Sequence, residues 1–293
     1  MSERIKNIAA MAIFGSIGVF VRLIPMPSSV ISLSRAVIGG VFLLILMLIL
    51  GKRLSLSSIK ENAILLLLSG IALGFNWMLL FEAYKYTSVA NATLCYYLAP
   101  VIMVVLSPLI FKEGLTLTRV LAVILSVVGM ALISGAEVAS VGSRGVIGII
   151  LGISAACLYA MIVILNKKLC GISAYERTAV QLIVSAISML PYCAFTGAFS
   201  GITLNALQIA IVLVLGIVHT GVAYALYFGS IGNLPAQTVA LLGYIDPVLA
   251  LVLSWTLLGE GFTLSGLVGA VLILGSMLFC EIWEGRKQKV PKK

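Results

Sequence analysis

Charge is scarce in this chain. Only 10% of its 293 residues are Asp, Glu, Lys or Arg, while 61% are hydrophobic and the mean hydropathy is +1.19. Soluble domains carry about 25% charged residues. A water-soluble protein of this size has no means of hiding so much apolar surface, so lipid is the expected solvent. Histidine occurs once, at His219, and the five cysteines stand apart at 95, 157, 170, 193 and 280. None has metal-ligand or CxxC spacing, which argues against a metal centre, a thiol catalyst and a disulfide framework. GxxxxGK, HExxH and GxSxG are also missing. Their absence removes ATP drive within the chain and the usual hydrolytic chemistries, and no cofactor is expected.

What is present is a series of apolar runs. Ten segments read as helices: about 5–23, 28–50, 61–84, 87–110, 116–135, 144–165, 174–196, 204–228, 234–257 and 263–283. Most are near the ~20 residues that cross about 30 Å of hydrocarbon. None shows the alternation of a barrel strand. The expected fold is an all-α polytopic membrane protein in contact with membrane lipid. The net charge of +9 does not imply nucleic acid, because of where the charges fall. With the N-terminus inside, 15 of the 19 basic residues face the cytoplasm, Arg22, Lys85 and Arg144 face outward, and Arg35 lies within the second segment. This bias places both termini in the cytoplasm of a cell membrane. "GIALG" at 70–74 and "GIILG" at 148–152 permit close helix contact, within one chain or between two, so monomer and homodimer both stay open.

Displaced by 147 residues, the chain matches itself: 16 of 57 positions agree between 74–130 and 221–277 without a gap. The matches include Tyr97 with Tyr244, Pro100 with Pro247, Ser107 with Ser254 and Glu113-Gly114 with Glu260-Gly261. The expected units are 1–138 and 139–293, each of five crossings. Five is odd, so the second copy enters from the opposite side and the halves are inverted. The paired stretches "CYYLAPVIMVVLSPLIFKEGLTLTR" (95–119) and "LGYIDPVLALVLSWTLLGEGFTLSG" (242–266), with "SLSRAVIGG" at 32–40, resemble the EamA type of the drug/metabolite transporter superfamily. That resemblance covers nearly the whole chain. It implies export or exchange of small molecules such as amino acids, metabolites or drugs.

Ionisable groups inside such segments cost about 2.5–3.5 kcal/mol or more to insert and need a partner or water. Counted from the turn near Ile231, Asp246 lies roughly 22 Å along its helix and His219 roughly 18 Å along the preceding one. At similar depth, the two form a substrate-contacting or proton-sensitive pair, or else each bonds within the bundle. Arg35 grips a carboxylate with its forked donors, pairs with Glu82 or snorkels outward. Gln181 occupies the corresponding place in the second copy. Pro100 and Pro247 each free a carbonyl one turn back and kink their helices, toward a cavity or simply for packing. Asn76, Trp77, Tyr97, Tyr224 and Tyr244 complete the candidate site, with aromatic walls suited to an amphipathic solute. Glu113 and Glu260 read as charged helix ends.

These residues point to a secondary transporter that moves a small organic solute, with or without protons, by alternating access. Two alternatives stand beside it: a membrane enzyme using Asp246 and His219, and a channel or facilitator.

Overall fold

The computed structural model describes residues 2–111, 116–231, 233–234, 239, 242–261 and 263–289. Helices fill nearly all of it, because apolar runs in lipid must satisfy every backbone polar group internally. They are α1 (Glu3–Arg22), α2 (Ser28–Ile49), the short α3 (Leu56–Glu61), α4 (Ala63–Tyr86), α5 (Val89–Tyr96) and α6 (Ala99–Phe111). Then come α7 (Leu117–Val141), α8 (Ser143–Lys167), α9 (Ala174–Phe195), α10 (Ala206–Gly216) and α11 (Ala223–Ile231). The last two are α12 (Ile245–Leu258) and α13 (Leu264–Lys289). Polar caps start them: Ser88 accepts from Asn91 N–H at 3.0 Å, and capping boxes open α9 (Ser173 with Glu176) and α10 (Asn205 with Gln208). Gly259, at φ +64°, ends α12 in the left-handed conformation that glycine adopts without strain.

Among the described residues, seven helical spans are long and apolar enough to cross a membrane. Shorter apolar helices cover Leu117–Ile133, Ile245–Leu258 and Leu264–Cys280. The chain is therefore a polytopic helical membrane protein. The helix expected over 87–110 is interrupted at Tyr97 and Leu98, and α3 was not expected. Glu113 and Gly114 lie outside the described residues, as does Gln237, another polar residue of the ninth segment.

Helix pairs recur in the packing. α1 lies on α12, and α8 lies on α5 and α6; α4 lies on α8, and α1 lies on α11. α2 packs on α9, and α7 packs on α13. The α7–α13 seam is tight. A Cβ at Gly129 would come within 2.6 Å of the Gly269 carbonyl, and one at Gly269 within 2.5 Å of the Gly129 carbonyl. Ser126 and Ser276 share a hydrogen bond of 3.1 Å there. Close approach through small residues is how helices associate where lipid tails compete with side chains for contact. The glycine pairs expected to allow close contact do so within the chain. Gly70 and Gly74 admit Val184, Ser185 and Met189 of α9, while Gly148 and Gly152 admit Thr87 and Cys95.

Candidate substrate cavity

The break between α5 and α6 and the start of α12 border a cavity of about 400 Å³. Tyr97 (φ −74°, ψ 6°) closes α5, and Tyr244 (φ −73°, ψ −10°) precedes α12. Each stands three residues before its proline, where the missing N–H leaves the carbonyl of Tyr96 or Gly243 without its helical donor. Both tyrosines line the cavity, as does Pro100; Pro247 is buried and is not among the lining residues. Trp77, Tyr96, Tyr159, Tyr224 and Tyr227 complete most of an aromatic wall.

Asp246 lines the cavity from the first turn of α12. Its position depends on Gly15: a Cβ there would lie 2.5 Å from the Asp246 carbonyl and 3.1 Å from Leu249 Cβ, so α1 reaches α12 only through glycine. Tyr97, at the end of α5, lines the same cavity and is close enough to interact with the Asp246 carboxyl.

Arg35 is only 2% exposed, yet its guanidinium lies in the cavity wall. Its Nε donates to Thr220 Oγ1 at 3.2 Å. Its plane covers Trp77 at 4.1 Å and Phe81 at 5.2 Å, contacts that offset part of the cost of burial by about 0.5–2 kcal/mol. The expected alternative pairing with Glu82 does not form, because Glu82 bonds Lys85 at 2.8 Å. Thr220 sits in a π-helical turn, Ile217–Val222, whose wider spacing lets its hydroxyl donate to the Leu215 carbonyl at 3.0 Å while accepting from Arg35. Gly39, Gly216 and Gly221 bring α2 against this turn: a side chain at Gly39 would overlap Thr220, and one at Gly221 would overlap Phe42.

His219 does not meet Asp246. The π turn rotates it onto α1, where Nε2 bonds Ser16 Oγ at 2.9 Å, Nδ1 faces the Val214 carbonyl at 3.3 Å, and the ring packs on Phe20. Equal depth did not bring the two together, because they point to different faces. Gln181 lies away from the cavity too, joining α4 to α8 and α9 through Ser69 (2.7 Å) and Asn166 (2.6 Å). Asn76 stands behind the wall. It donates to the Ala155 carbonyl at 2.6 Å and accepts from the Tyr96 hydroxyl at 3.4 Å, so it holds a wall residue in place.

Glu260 does more than end a helix. Oε1 takes Arg22 Nη2 at 2.8 Å, and Oε2 takes the Val89 N–H at 2.8 Å and the Ser254 hydroxyl. One carboxylate thus ties the ends of α1 and α12 to the positive end of α5. Beside this junction lies a second cavity of about 430 Å³, lined by Arg22, Pro25 and Lys85. It shares Phe81 and Tyr84 with the first, and these two rings separate the spaces. Thr220, Phe81, Tyr84 and Tyr159 were not singled out from the sequence. Only the repeat carries a trace of them, in the match of Phe81 to Phe228.

A helical membrane protein with a buried, aromatic-walled cavity between its helices belongs to the class of small-solute transporters. Comparison with known proteins narrows this. The model of the EamA-like transporter family matches residues 5–135 and again 146–280, and the chain belongs to that family. Similar proteins include an uncharacterized transporter, YxxF, of Bacillus subtilis (strain 168). It is 32% identical over 278 residues, covering 93% of this chain and 87% of that protein. An uncharacterized transporter of Clostridium kluyveri is 30% identical, covering 71% and 68%. A solved crystal structure superposes with a TM-score of 0.69 at 19% identity, covering 98% of this chain and 99% of that one, which shows likeness of fold. Among the described residues, no cluster of three or more His, Cys, Asp and Glu is placed to hold a metal.

Proposed function

We propose that this chain is a secondary transporter that exports a small organic solute by alternating access between two inverted five-helix units. The observation that carries the reading is the 400 Å³ cavity, whose wall draws Arg35, Trp77 and Tyr97 from the first half and Tyr224, Tyr244 and Asp246 from the second. Binding sites near the midplane between repeats are the arrangement alternating access requires. The twofold match of the family model, the recurring helix pairs and the equivalent placement of Tyr97 and Tyr244 support the inversion. With both termini cytoplasmic, as the basic residues suggest, the Glu260 junction and the Phe81–Tyr84 septum lie on the outer side and close it. The state described is then closed to the outside.

The test is purified protein in sealed liposomes, screened for flux of labelled amino acids, organic acids and amphiphiles, with and without a pH gradient. Saturable flux that falls in Asp246→Asn or Arg35→Ala is expected. Single-channel currents would replace the reading with a channel, and chemical conversion without net flux would replace it with an enzyme.

A further inference from the structure

Two ionisable groups share the cavity wall without neutralising each other. Among the described residues, no ion pair joins Arg35 to a carboxylate or Asp246 to a cation. Such groups persist in a low-dielectric interior when something else completes their shell. Here the protein supplies only part of it: for Arg35 one neutral acceptor, Thr220, and two ring faces; for Asp246 the hydroxyl of Tyr97. The two project from different helices and form no ion pair with each other. Arg35 projects from α2 against Trp77 and the π turn, while Asp246 projects from α12 beside Gly15. Tyr84, Trp77, Tyr96 and Tyr224 line the same cavity.

We infer that the solute is a small amphipathic zwitterion with its two charges at opposite ends: a carboxylate on Arg35, an ammonium on Asp246, and a flat apolar body against Trp77, Tyr96 and Tyr224. The inference rests on the cavity being the solute site of the transporter proposed above. A carboxylate matches the forked donors of a guanidinium better than any neutral group does.

The test is binding, read without flux. The chain has three tryptophans. Replacing exposed Trp255 and Trp283 by Phe leaves Trp77, in the wall, as the sole reporter in nanodisc-embedded protein. Four probes are titrated against its fluorescence: 4-(2-aminoethyl)benzoate, which carries a charge at each end; its amide, which lacks the carboxylate; 4-ethylbenzoate, which lacks the ammonium; and L-phenylalanine, whose charges sit on one carbon. The first should bind about tenfold or more tighter than the other three, the cost of leaving one buried charged group unpartnered. Arg35→Lys should erase its advantage over the amide, and Asp246→Asn its advantage over 4-ethylbenzoate. Equal binding of the amide, of 4-ethylbenzoate or of phenylalanine by the unmutated site would overturn the inference, as would no binding by any probe. The wild-type comparison stands even where a variant fails to fold. A zwitterion that binds but never crosses sealed vesicles leaves this inference intact and ends the transport reading. Flux of solutes bearing neither charge does the reverse.

Discussion

Removing the Glu260 carboxylate should open the cavity to the outside. In Glu260→Ala three partners lose their acceptor: Arg22, the Val89 N–H and the Ser254 hydroxyl. Arg22 is 36% exposed, so water replaces most of what it loses, and the ion pair is worth about 0–1 kcal/mol. Val89 is 1% exposed, and its N–H loses a charge-assisted bond worth about 1.5 kcal/mol or more. Together about 2 kcal/mol leaves the closed arrangement. If the open arrangement lacks these contacts, the open fraction rises roughly 30-fold, at 1.4 kcal/mol per decade. The reporter is Ala250→Cys in a cysteine-free background, since Ala250 is small, buried and in the cavity wall. A membrane-impermeant maleimide added outside right-side-out vesicles should label it about ten- to thirtyfold faster once Glu260 is replaced. An unchanged rate, with thermal stability lowered by a similar energy, would refute the reasoning: the junction would then be a tie present in every state.

Other outcomes follow from the same geometry. Gly15→Val should drive α1 off α12 and displace Asp246, abolishing binding at a cost of about 1–3 kcal/mol in stability, read by thermal unfolding in detergent. Gly39→Val should push Thr220 away from Arg35 and weaken carboxylate recognition while leaving Asp246 in place; the preference of the zwitterion over its amide measures it. Asn76→Leu should cost about 1 kcal/mol through the α4–α8 tie and loosen Tyr96, visible as lower melting temperature and weaker probe affinity. His219→Ala should lower stability by a comparable amount, through lost contacts to Ser16 and Phe20, without changing the order in which the four probes bind. A changed order would return His219 to the site.

The sequence alone determined the solvent, the helical architecture and the duplication. Each follows from local or cumulative properties: apolar length, cap residues, and a register of Tyr, Pro, Ser and Glu-Gly repeated 147 residues apart. It also supplied Arg35, Trp77, Tyr97, Tyr224, Tyr244 and Asp246, because polar and aromatic residues within apolar runs are conspicuous. Tertiary structure decided which of the candidates meet. Depth along a helix is readable from residue number, but azimuth is not, and the π turn at Ile217–Val222 altered it where it mattered. That turn carried His219 onto α1 and Thr220 onto Arg35. Gln181 and Asn76, equally polar on the page, became ties between helices, because the nearest partners they found were Asn166 and the Ala155 carbonyl. Glu260 looked like a helix end until folding brought Arg22 and Val89, 238 and 171 residues away, to its two oxygens. Contacts across such separations depend on how whole helices are placed, and no window of sequence contains that placement.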